Sequence, residues 1–193
     1  MLRLYSTISF LLVVNACLMA QVGIDYSPKV MYGELRKATD DLVELKEMLL
    51  APELSKTLHG GKFFKVTSLS GLSTIKFVYV GRVNACRAGG CSVNPELETK
   101  EESEYFDYFM FFDAVPTVQL VKVFNYQASH GQEVSSTSWL KQFKNYNGKE
   151  ELIVGKDIDA ISGATISVDA ITFDVQLKTN MLREILSPSG VGF

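Results

Sequence analysis

From about Lys29 to Leu50 the apolar positions Leu35, Ala38, Leu42, Leu45 and Leu49 step by three and four, the stripe of one amphipathic helix, with Pro52 expected to stop it. The middle of the chain changes period. The runs "KFFKV" and "TIKFVYVGRV" are dense in β-branched and aromatic residues and bounded by Gly and Ser, so they read as strands. "YFDYFMFFD" and "TVQLVKVFNY" follow, and the short "AVP" link joins them as a hairpin. Polar and apolar residues alternate imperfectly in the second of these runs, as expected where one sheet face is largely buried. Further on, the cluster Ser135–Ser138 can cap a short helix carrying Trp139, Leu140 and Phe143, ended near Asn147-Gly148. The last segment fits two periods. Ile171, Phe173, Val175 and Leu177 alternate as in a strand, whereas Val168, Ile171, Val175, Leu182 and Ile185 share a helix face. No Gly or Pro occurs from Ile166 to Ser187, and that length exceeds a typical strand, so a helix is expected.

These elements describe an α+β domain, a twisted and mostly antiparallel sheet packed by helices. With no internal repeat or linker, residues 21–193 form one unit. A chain of 193 residues can build such a core without staples. The net charge is -3, and no Lys/Arg run is interleaved with aromatics, which sets nucleic acid aside as a partner. The acid-rich "NPELETKEESE" reads as a solvated connector.

Residues 1–20 differ from the rest. They carry Arg3 and no acid, and an apolar run from Ile8 to Ala20 is too short for a spanning helix and interrupted by Asn15. They read as a secretory signal peptide cleaved before Gln21, which implies export to the periplasm or cell envelope. A second reading takes "VNAC" as a lipoprotein site with Cys17 lipidated, and a third keeps the segment as an uncleaved anchor. Cleavage after residue 20 removes Arg3 from the 19 cations and leaves all 22 acids, so the balance becomes 18 − 22 = −4. Two cysteines then remain, Cys86 and Cys91 in "ACRAGGCS". One reading is a disulfide pinning a Gly-rich turn, worth roughly 2 kcal/mol by chain entropy. The other is a dithiol pair that exchanges electrons.

The candidate chemistry lies in "DIDAISGATISVDAIT", residues 157–172. If a helix begins just after Thr165, its first N–H groups lack partners and its dipole favours negative charge. Gly163 and Ala164 leave room for a large ligand at the backbone. Two readings follow from physics alone: an anion site with a hydroxyl at its edge, or a threonine N-cap on an ordinary helix, the second being the commoner arrangement.

Asp159, Ser162, Gly163, Ala164 and Thr165 in "DAISGATIS" resemble the attachment motif of the FMN-binding domain family, an Asp, two residues, then Ser-Gly-Ala-Thr. That family includes the covalently flavinylated subunits of sodium-pumping quinone reductases and related electron-transfer complexes. The resemblance runs from the strands near Gly71 to the final helix and excludes the N-terminal helix. It implies FMN attached to Thr165 through a phosphoester, installed by a separate flavin transferase that uses FAD as donor. Asp159 would be read by the transferase or help activate the hydroxyl. In the family, the segment before the motif packs on the flavin ring and often contains Glu-Thr-Pro-Gly. Here that place holds "SHGQEV", without the Pro-Gly element. Gly131 would let backbone approach the ring, and His130 or Glu133 would hydrogen-bond its polar edge, against an ordinary surface-turn role for His130. Trp139 reads as core, with stacking near the flavin as the alternative.

The function so implied is an exported electron-transfer flavoprotein that takes electrons from a membrane redox partner, a carrier more than an enzyme with its own substrate. No nucleotide-binding glycine fingerprint points to NAD(P)H. Two alternatives stand beside it: a reductase in which FMN and the Cys86–Cys91 dithiol act together, and an envelope binding module that keeps the fold but is never flavinylated.

Overall fold

The computed structural model describes residues 23–85 and 104–187. The N-terminal segment 1–20, Cys17, Cys86, Cys91 and most of the acidic connector lie outside the described residues.

Five strands form one antiparallel meander in chain order: β1 (Val43–Glu47), β2 (Lys62–Ser68), β3 (Phe77–Asn84), β4 (Tyr105–Phe112) and β5 (Val118–Tyr126). The four central runs were legible as strands, and the α+β expectation holds. β3 and β4 pair over their full length, from Phe77 opposite Phe112 to Asn84 opposite Tyr105. Both faces of the sheet are covered. On one side α1 (Lys29–Thr39) seats Met31 and Leu35 against Phe64, Val66, Val78, Val80, Phe109 and Phe111. On the other, α4 (Thr165–Leu186) lays Val168, Ile171, Val175 and Leu182 over a layer that includes Tyr79, Tyr108 and Met110. Each fully buried side chain of this size contributes about 1.5–3 kcal/mol. That double covering explains why β4 is apolar almost throughout, the pattern of a central strand.

The single N-terminal helix expected over 29–50 is corrected. α1 stops at Thr39, and Asp40 takes the left-handed conformation (φ 51°) while its N–H donates to Arg36 O at 3.1 Å. The Asp41 carboxylate then accepts from the N–H groups of Leu42 and Ser70, both at 2.8 Å, and turns the chain toward the sheet. "VELKE" alternates with period two, and as a strand it pairs along its inner edge with β2. The apparent stripe is therefore divided. Leu35 is buried, Leu45 packs from a strand, and Leu42 and Leu49 stay exposed. Pro52 opens a short helix, α2 (Pro52–Thr57), at its first position instead of closing a long one.

Two polar clusters are enclosed by this architecture. Arg82 forks onto Asp107, Nε to Oδ1 at 2.6 Å and Nη2 to Oδ2 at 3.0 Å, and Asn125 donates to the same carboxylate at 2.8 Å. On the α4 side, Lys178 is 1% exposed, pairs with Asp174 at 3.2 Å and donates to Thr57 O at 3.2 Å. The Tyr108 hydroxyl donates to the same aspartate. Burial first, then the Asp174 charge, pushes the Tyr108 phenol well above its ordinary value and keeps it a donor.

Candidate functional site

The motif is an ordered loop feeding a helix. Gly155 N–H donates to Ile158 O at 2.7 Å, Ile153 N–H donates to the Asp157 carboxylate at 3.0 Å, and buried Ile158 anchors the loop in the core. Two side chains from the helical segment upstream then clamp Asp159. The Trp139 indole N–H donates to Asp159 O at 2.9 Å, and Gln142 Oε1 accepts from Asp159 N–H at 2.8 Å. That segment is a 3-10 turn (Gln132–Ser135), α3 (Thr137–Leu140) and a second 3-10 turn (Lys141–Phe143). Trp139 is a core residue, edge-on to Phe143 with ring centroids 5.5 Å apart. The Asp159 carboxylate itself is on the exposed surface.

Past Asp159, Ala164 N–H closes a turn onto Ile161 O at 3.1 Å, and Gly163 takes the left-handed conformation (φ 81°) that this turn requires. A side chain added at Gly163 would meet nothing within 4 Å, so the space above it is open. Ser162 and Gly163 are exposed, whereas Ala164 is buried and occupies the N-cap position of α4. Thr165 is the first helical residue, with an exposed side chain. The threonine-cap reading is thereby excluded: the capping position holds an alanine, which has no side-chain acceptor. The first turn of α4 has no side-chain cap and no acidic residue. The N–H groups of Thr165, Ile166 and Ser167 have no acceptor within the helix, by the geometry of any α-helix start. A hydroxyl thus stands at an uncapped, electropositive helix end beside open space.

The segment around residue 130 meets the same helix end. Gly131 is buried with φ 83°, and a Cβ there would lie 2.7 Å from Ser167 Oγ. Its missing side chain makes room for the first turn of α4. The Tyr126 hydroxyl, at the end of β5, donates to His130 O at 2.6 Å and lies 3.2 Å from Ser167 Oγ. Its ring stacks on Phe106, 5.4 Å between centroids and 9° between planes. Partial burial pushes the Tyr126 phenol up; the Ser167 hydrogen bond opposes this, and the charges of Glu133 and Glu104 add to it. His130 and Glu133 are exposed, and His130 Nδ1 lies 2.8 Å from Ser129 Oγ. The fold therefore brings the 130–133 segment to the first turn of α4, through Gly131 on Ser167. It joins Asp159 to the same neighbourhood through Trp139.

Sequence reasoning missed Tyr126, Gln142 and Ser167. Ser167 stands two residues beyond Thr165 in the motif string, so its place in the first turn was readable. Nothing in the local pattern marks Tyr126 or Gln142.

Residues 87–176 match the family model of the FMN-binding domain. The chain contains an FMN-binding domain. The match begins ahead of β4 and ends inside α4, so it takes in the 130–133 segment and the Asp159–Thr165 motif. It is shorter than the resemblance traced from Gly71, and β1, β2, β3, α1 and α2 precede it. Comparisons with curated proteins and with solved structures find no significant match. An FMN-binding domain is a flavin-binding unit, and the residues present suit that group. An uncapped helix start accepts an anionic phosphate, and the open face at Gly163 leaves space beside it.

Proposed function

We propose that this FMN-binding domain carries FMN covalently, as a phosphoester on Thr165, and works as an exported electron carrier. The observation that carries the reading is the exposed Thr165 hydroxyl at the first position of an uncapped helix, beside open space. A flavin transferase using FAD would join the threonine oxygen to the FMN phosphorus. The threonine O–H bond and the bond to the adenylate half of FAD break, and AMP leaves. The product is a singly charged phosphodiester, which the positive end of α4 stabilises. Bound FMN supplies the electron-accepting and electron-donating ring.

The chain's own residues hold and orient. Gly163 keeps the approach to the hydroxyl clear, and the clamp of Trp139 and Gln142 on Asp159 fixes the loop leading into it. Asp159 presents an exposed carboxylate for the transferase to read. His130 and Glu133 are exposed and flank Gly131, which meets the first turn of α4, so either would be available to hydrogen-bond the polar edge of a tethered ring. A tether prevents loss of the cofactor outside the cytoplasm, which suits a carrier fed by a membrane redox complex.

The test is the intact mass of the purified protein, denatured, made with and without a co-expressed flavin transferase. The expected result is a gain of one FMN less one water, mapping to the peptide with Thr165. Thr165→Ala should show no gain, and Thr165→Ser a partial one. A normal adduct in Thr165→Ala refutes the assignment. No gain in wild type with a competent transferase leaves a domain that is never flavinylated.

A further inference from the structure

Among the described residues β1 is an outer strand of the sheet, paired on one side to β2. Its hydrogen-bond parity is set at both ends, where Leu69 N–H donates to Leu42 O at 3.3 Å and Met48 N–H to Phe63 O at 2.9 Å. In an antiparallel ladder the bonded residues alternate, so Glu44 and Lys46 bond inward to β2, while Val43, Leu45 and Glu47 turn their N–H and C=O groups outward. Such an edge is a template for another strand.

We propose that this edge pairs with the same edge of a second copy of the chain, antiparallel and centred on Leu45, to make a symmetric dimer with a continuous sheet. In that register Leu45 faces Leu45, Val43 faces Glu47, and Glu44 faces Lys46 twice, once on each side of the twofold axis. Every outward backbone group of β1 is then paired. A slip of one residue sets an outward group against an inward one. A slip of two sets Glu44 against Glu44 in one direction, or Lys46 against Lys46 in the other. The charges therefore select the Leu45-centred register alone.

Two further features of the chain support a second copy as the occupant. Lys46 lies opposite Lys65 on β2, a like-charge pair that Glu44 of the second copy would offset. Among the described residues neither Glu44 nor Lys46 has an ion-pair partner, and both are exposed. Leu42 and Leu49, just beyond the ends of β1, are 70% and 84% exposed and fall within the enlarged interface.

Sedimentation equilibrium of the purified protein from roughly 1 µM to 1 mM tests this. Wild type should reach a dimer. Glu44→Lys or Lys46→Glu should each raise the dissociation constant about tenfold or more, because each reverses two symmetric contacts. The two variants mixed should form heterodimers, and the double charge swap Glu44→Lys/Lys46→Glu should dimerise again. Circular dichroism verifies that each variant is folded. Amide exchange in wild type should show Val43, Leu45 and Glu47 protected at high concentration only, a measurement that needs no variant. A protein monomeric throughout, including one whose edge binds unrelated peptides, overturns the proposal. So does a dimer indifferent to Glu44→Lys, or variants that fail to complement.

Discussion

Gly131→Ala tests how the two parts of the site are joined. At φ 83° an alanine is held in the left-handed region, at a cost of about 1 kcal/mol. Its Cβ would also stand 2.7 Å from Ser167 Oγ, 3.1 Å from the Tyr126 hydroxyl and 3.2 Å from Ser167 Cβ, all closer than side-chain carbon normally packs. Crowding of this kind costs about 1–3 kcal/mol, so the total is about 2–4 kcal/mol. For a domain of this size each kcal/mol lowers Tm by about 2–4 °C, which predicts a fall of about 4–16 °C in thermal unfolding followed by circular dichroism. Ser167→Ala removes the nearest clashing atom but not the conformational cost. By itself it loses a bond to Tyr126, about 0.5–1.5 kcal/mol, and Tyr126 keeps its bond to His130 O. The double variant should therefore be more stable than the sum of the single changes by about 1 kcal/mol. A Tm change in Gly131→Ala below about 2 °C, or strict additivity in the double variant, refutes the claim that this glycine exists to seat α4.

Four other outcomes are expected. Trp139→Phe leaves Asp159 O without its indole donor, which should cost about 1–3 kcal/mol by urea unfolding and slow the initial rate of flavin attachment while Thr165 remains intact. Asp159→Ala, at an exposed carboxylate, should change stability by no more than about 0.5 kcal/mol yet be modified poorly, and labelling at the wild-type rate would remove Asp159 from its proposed role. Lys178→Met leaves the partly buried Asp174 of α4 without its cation, with the Tyr108 hydroxyl still donating to it, and should cost about 3–5 kcal/mol, read as a lowered urea midpoint. Glu34 is held below the ordinary carboxylate range, chiefly by its hydrogen bond from Lys122 at 2.6 Å, against the opposing effect of burial. A lowered folded-state pKa contributes stability above the ordinary value, and that contribution is lost as pH falls through the lowered one. Glu34→Gln should accordingly show a shallower loss of Tm on acidification than wild type, and parallel Tm profiles would contradict this.

The strands from Lys62 to Tyr126 and the long helix after the motif were readable from the sequence because their signals are local. Aromatic and β-branched runs bounded by turn residues specify strands, and a stretch without Gly or Pro that is too long for a strand specifies a helix. The string Ser162-Gly163-Ala164-Thr165 was readable for the same reason, since its small residues and its hydroxyl lie next to one another in the chain. The segment from Lys29 to Leu50 was not. Steps of three and four coincide there with alternation by two, and only the edge of β2, together with the Asp40–Asp41 turn, decides between them. The interior of the site was also undetermined by local pattern. Trp139 reaches Asp159 across 20 residues, Gln142 across 17, and Tyr126 meets Ser167 across 41. Those partners are chosen by the packing of α4 and the 3-10 segment on the sheet. The sequence by itself determined the central strands, the last helix and the place of the Thr165 hydroxyl behind two small residues; tertiary packing decided where the N-terminal helix gives way to a strand and which backbone groups are clamped around the motif, because those hydrogen bonds exist only once distant elements have been brought into contact.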